Sequence, residues 1–265
     1  MKKLYALLSI LLLCTSCQFK WPSWGDESDA SHNKVQRYDR LESRYLTTGD
    51  YSALQQMNTD FPIETRTLIE KVLQVGQVND PDISHRFLMF YQDSVLQSLI
   101  ADAETEYANM DDINQSFDEA FARLQAWVPN IERPEIYTQI GALDQSIIIG
   151  DESIGISLDK YLGENYPLYK KYYPANQRVT MTRAYIVPDA MLFFLLGQYS
   201  MSHYEQRSQL ERDLHMGKMM WVVNKLVGRQ AYQTDYTRMV DRYMARNKHY
   251  GVKALLESDD YSSMK

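Results

Sequence analysis

The 265-residue chain carries 28 Lys and Arg against 35 Asp and Glu, a formal net charge of −7, and 45% of its residues are hydrophobic. The apolar fraction suits a folded domain, and the acid excess argues against nucleic acid as a partner. Its two cysteines, Cys14 and Cys17, both lie near the amino terminus, which excludes a disulfide framework for the rest.

Lys2 and Lys3 followed by the apolar run Leu4 to Leu13 read as a signal peptide, too short to span a bilayer. The run ends in Cys14-Thr15-Ser16-Cys17, small residues directly before a cysteine, as a bacterial lipoprotein peptidase requires. Cleavage after residue 16 would leave Cys17 as the lipidated first residue and, with Lys2 and Lys3 gone, 26 basic against 35 acidic residues, net −9. Residues 17–33, rich in Pro, Gly, Ser and acids, read as a tether with Trp21 and Trp24 near the anchor. The expected domain spans 34–257, with a tail over 258–265.

Helical periodicity dominates as far as Trp127. Asp82 to Ile100 places Phe87, Leu88, Tyr91, Val95, Leu96 and Leu99 on one stripe, and Asp112 to Val128 does the same with Ile113, Phe117, Ala120, Phe121, Leu124 and Trp127. Pro129 and Pro134 close this block. Three strands follow: an alternating stretch at Ile136 to Ile140, the β-branched run Ser146 to Gly150, and Ile154 to Leu158 after an Asp151-Glu152-Ser153 turn. Their order predicts a small antiparallel meander.

Leu158 to Gly163 predicts one helical turn, and Tyr161, Tyr166, Tyr169, Tyr172 and Tyr173 predict aromatic packing under the sheet. Val187-Pro188-Asp189 opens a helix whose segment Met191 to Leu196 is apolar all round and should be the most buried. Two amphipathic helices separated by Gly228 follow, then a short helix from Gly251, with Ser258-Asp259-Asp260 fraying into solvent.

No catalytic motif emerges. The five histidines, His32, His85, His203, His215 and His249, form no H-E-x-x-H, and Glu211 with His215 reads as a surface ion pair one turn apart. There is no G-x-S-x-G, and Gly141, Gly150 and Gly155 do not gather before a helix as a phosphate cradle would. Asp111-Asp112 and Glu104 with Glu106 read as solvated helix faces. No catalytic residue, metal ligand or cofactor is assigned.

The cysteine-terminated signal, IGISLDKYLGENYPLYK at Ile154 to Lys170, VPDAMLFFLLGQY at Val187 to Tyr199 and LHMGKMMWVVNKLV at Leu214 to Val227 resemble, in order and spacing, the GldB family of gliding-motility lipoproteins of the Bacteroidetes. The likeness runs from about Tyr38 to Leu256. It implies an envelope lipoprotein at the outer membrane, associated with gliding or secretion machinery, and a distant kinship to zinc-dependent proteases. That kinship would set Asp189 to Phe193 (DAMLF) where a metal motif falls, with Glu211, Asp213 and His215 on the next helix.

The expectation is therefore an α+β single domain, mainly helical around a small antiparallel sheet, on a degenerate zincin-like metallopeptidase scaffold. Its expected role is non-catalytic: anchored to membrane lipid through Cys17, it binds another envelope protein or a peptide. Ile154, Gly155, Ile156, Ser157 and Leu158 are the candidate edge strand for an added peptide strand. The alternative is a zinc-dependent peptidase or other hydrolase with an atypical site.

Overall fold

The computed structural model describes residues 34–264; the signal peptide, Cys17 and the tether lie outside the described residues. Among the described residues no helix is long and apolar enough to cross a membrane.

Helices α1 (Tyr38–Thr48), α2 (Tyr51–Asp60) and α3 (Pro62–Thr67) are set by local punctuation. Gly49 ends α1 in a left-handed conformation (φ 71°), returning its N–H to the Tyr45 carbonyl. Asp50 caps α2 by accepting from the Ser52 N–H at 2.8 Å. Pro62 opens α3, which runs on into a π turn at Leu68–Val72. The stripe expected to form one helix over Asp82 to Ile100 is two, α4 (Ile83–Phe90) and α5 (Ser94–Glu106). The break arises at Asp93, whose carboxylate caps Val95 and starts the helix afresh. Helix α6 (Asp111–Trp127) buries Ile113, Phe117, Ala120, Phe121 and Leu124, as its periodicity required. Each fully covered Phe there contributes on the order of 2–3 kcal/mol by area.

The sheet has strands β1 (Glu135–Gln139), β2 (Ile147–Ile149) and β3 (Ser153–Ser157) in the order β1-β3-β2. It is mixed: β3 runs parallel to β1 and antiparallel to β2. The antiparallel meander is thus corrected, and the loop after β1 supplies the reason. Ala142 and Leu143 there take positive φ (50° and 64°), held by the buried Asp159 carboxylate, which accepts from Gly141 N–H (2.8 Å) and Leu143 N–H (2.6 Å). Lys160 Nζ also holds the loop, donating to the Leu143 carbonyl at 3.1 Å. Fixed this way, the loop carries the chain a full strand's width past β1, and β3 fills the slot. Gly155 suits that slot, since a Cβ there would lie 2.5 Å from the Tyr137 hydroxyl.

Beyond β1, Gln36 bridges to Tyr137, donating its N–H to the Ile136 carbonyl (2.7 Å) and accepting from Thr138 N–H (3.0 Å). That edge is covered. Helix α9 (Ile186–Gln198) packs against β2 and β3, with Gly197 beside Ile149, and the Phe121–Phe194 ring pair (5.6 Å, edge-to-face) joins it to α6. Most of α9 is buried, as expected, although Phe193 faces outward.

The crowded tyrosines follow a short 3-10 turn at Leu158–Lys160 and run through helix α7 (Pro167–Tyr172), before helix α8 (Ala175–Arg178). Tyr161 and Tyr169 are fully buried while Tyr172 is exposed. Buried tyrosines elsewhere spend their hydroxyls on backbone carbonyls, Tyr45 on Ser84 (2.7 Å) and Tyr107 on Tyr161 (2.6 Å).

Helices α10 (Gln209–Leu226), α11 (Asp235–Arg246) and α12 (Val252–Glu257) complete the fold. The segment expected to fray is instead docked. Tyr261 and Met264 are buried, Lys218 Nζ donates to the Ser258 carbonyl (2.8 Å), and Asp259 accepts from Ser202 N–H (3.0 Å) and pairs with Arg207 (3.2 Å). Its apolar positions and its polar ones both hold it.

Candidate functional site

The strand proposed to be an edge, Ile154 to Leu158, is the centre of the sheet. Ile154, Gly155, Ile156 and Ser157 are hydrogen-bonded on both sides, and Leu158 has already left the strand for the 3-10 turn. All five residues are buried. The edge expected from an antiparallel meander is therefore corrected: the mixed order places this strand between the other two.

The unpaired edge belongs to β2. Ser157 N–H bonds to the Ser146 carbonyl (3.0 Å) and Gly150 N–H to the Ser153 carbonyl (2.9 Å). Those two bonds fix the parity of the ladder: residues 146, 148 and 150 turn their backbone groups toward β3. Ile147 and Ile149 therefore turn theirs away from it, with no strand beyond among the described residues. Side chains follow the same alternation. Ile149 and its partner Ile154 lie on the α9 side, whereas Ile148, Gly155 and Tyr137 lie on the opposite face.

Between the segment before β1 and the β2–β3 turn, and reaching the edge of β2 at Ile149, lies a groove of about 990 Å³. Its sheet floor includes Tyr137, Ile148 and Ser153, α3 contributes Ile63 and Glu64, the segment before β1 contributes Glu132 and Glu135, the turn contributes Asp151 and Glu152, and α9 contributes Phe194 and Gln198. Ile63 is 71% exposed and Ile149 40%, large apolar side chains left open to solvent. The groove's basic residue, Arg133, is engaged with Asp118 (2.7 Å) and stacked over Phe121 (5.1 Å). Burial, with the neighbouring Glu135 charge, pushes the Glu64 carboxyl above the ordinary carboxylate range.

A second, smaller cavity of about 160 Å³ lies just before β2, lined by Ser146, Lys160, Tyr161, Tyr173, Gln177, Thr180, Met181 and Asp189. Asp189, in the first turn of α9, accepts from the Tyr161 hydroxyl (2.9 Å) and the Tyr232 hydroxyl (2.5 Å). Burial lifts its carboxyl to about 6 despite both donors. Sequence reading missed this group because Tyr161 and Tyr232 are 28 and 43 residues from Asp189, and no local pattern records such a meeting.

The remaining candidates do not converge. His215 is buried, hydrogen-bonded through Nδ1 to the Tyr261 hydroxyl (2.7 Å), and its ring is held at about 4 by burial and then by the Lys218 charge. Glu211 instead closes the capping box of α10 with Ser208 and faces Arg207 at 3.8 Å, so the expected surface pair with His215 is corrected. Asp213 accepts from Tyr236 (2.8 Å). Among the described residues no three His, Cys, Asp or Glu side chains are grouped to hold a metal ion.

No curated protein and no solved structure matches the chain. A family model does: the one described as gliding motility protein GldB matches residues 24–237. The matched span takes in all three strands, the groove, the Asp189 cavity and helices α1 to α10. On that coverage the chain belongs to the GldB family of gliding-motility lipoproteins.

Proposed function

We propose that this chain is a non-catalytic protein of the outer membrane, held there by lipid on Cys17, that receives an extended segment of another envelope protein along β2. The observation that carries the reading is the β2 edge, left without a strand partner among the described residues, whose Ile149 end opens on a groove of about 990 Å³. An added strand would satisfy the outward backbone groups while its side chains alternate between the groove and the α9 side. The placement of α9 beside an edge strand also supports a degenerate zincin-like scaffold, in which substrate-type contacts outlast the chemistry.

The test places a photo-reactive residue at Asp151 in the full-length lipoprotein within its own envelope. Ile149→Pro removes an outward N–H while leaving the Ile148 bonds to β3 in place. The expected result is a discrete adduct that Ile149→Pro abolishes with little change in unfolding temperature. An undiminished adduct in that variant overturns strand addition.

The hydrolase alternative has its own observation, the cavity at Asp189, whose carboxyl sits near neutral pH beside Tyr161. Its zinc version predicts a rise in unfolding temperature across micromolar zinc, and a flat response removes it.

A further inference from the structure

Resting on the strand-addition reading, the chemistry of the groove names the kind of segment it takes. Of its lining residues, Glu64, Glu132, Glu135, Asp151 and Glu152 are acidic, and none of the five forms a salt bridge with a described residue. Arg133, the one basic lining residue, has its guanidinium committed to Asp118 and Phe121. The negative field is thus left for whatever lies in the groove, and Glu64, pushed up first by burial and then by the Glu135 charge, lies within it.

Strand geometry gives this charge a position. Glu135 is two residues from Tyr137 on β1 and shares its face, so Glu135 and Tyr137 lie on the groove face with Ile148, while Ile149 lies on the other with α9. A strand laid beside β2 continues that alternation. Every second side chain falls on the groove face, nearest Asp151 and Glu152 at the turn and within the field of Glu64, Glu132 and Glu135 by β1, and the intervening ones fall on the Ile149 side. We propose that the segment bound along β2 alternates Lys or Arg with apolar residues, a basic amphipathic strand contributed by a partner protein.

The experiment uses the full-length lipoprotein in neutral detergent and three fluorescein-labelled octapeptides, alternating Val with Lys, with Gln or with Glu. Fluorescence anisotropy is read at about 0.05 M and 0.5 M NaCl, spanning Debye lengths from about 14 Å to 4 Å. The expected result is that the Val–Lys peptide binds about tenfold more tightly than Val–Gln at low salt, with Val–Glu weakest and the preference collapsing at high salt. The variant Glu132→Gln/Asp151→Asn/Glu152→Gln, changed only at exposed positions, should bring Val–Lys to the Val–Gln level, and Ile149→Pro should abolish both.

Equal binding of all three peptides, lost together in Ile149→Pro, overturns the basic preference and leaves strand addition standing. Val–Lys binding that survives Ile149→Pro but falls in the carboxylate variant overturns strand addition, the charge then acting without the edge. Absence of binding by any peptide overturns both.

Discussion

Asp189 is a carboxylate placed where its charge is costly. Its folded value of about 6 lies above the ordinary 3.8, so the folded state holds its proton more tightly than the unfolded chain. The resulting stability is fully present below about pH 4 and is lost as pH rises through 6, at most about 3 kcal/mol. Asp189→Asn should remove that dependence, and chemical denaturation of both proteins at pH 4, 5, 6 and 7 checks it: an unchanged difference across the series sinks the assignment. Gly155 is the other residue with an outsized role. Gly155→Ala would drive a methyl into the Tyr137 hydroxyl, and the expected cost is about 1–3 kcal/mol by thermal unfolding.

At the scale of elements, the two neighbouring isoleucines of β2 should respond unequally to the same change. Ile148→Pro deletes a ladder bond to β3 and should destabilise the fold by several kcal/mol, whereas Ile149→Pro deletes an outward donor and should cost much less. Similar losses from both would show the parity to be wrong. Such parity was hidden in the sequence. Periodicity located β1, β2 and β3 within a residue or two because alternation is a local property, and helices α6 and α9 were legible for the same reason. Strand order was not legible, because it is set by Asp159 reaching back 18 residues to Gly141 and by Gln36 crossing about a hundred residues to cover β1. A buried central strand and an apolar edge strand look alike until those long contacts are known.

For the whole molecule, His215 and Asp189 work against each other as pH falls. The His215 ring, held at about 4 against an ordinary 6.5, makes the unfolded chain the stronger proton binder, so acidification from 6.5 toward 4 destabilises the fold by up to about 3 kcal/mol. Asp189 stabilises over nearly the same interval. Among these two groups the expected balance is a shallow wild-type profile, made steep with one sign by His215→Gln and with the other by Asp189→Asn. Parallel profiles in all three proteins would refute the opposition. Tyr261, which partners His215, also ties the terminal segment to α10, and Tyr261→Ala should lower stability by about 3–5 kcal/mol in thermal unfolding. The brevity of β2 carries a last implication, for time rather than structure. Two outward residues offer two N–H and two carbonyl groups, so strand pairing there gains only about 4 kcal/mol at a net 1 kcal/mol per bond. If a partner strand pairs there as proposed, a single engagement exchanges rapidly, and association would last where many copies share one surface and rebinding outpaces escape.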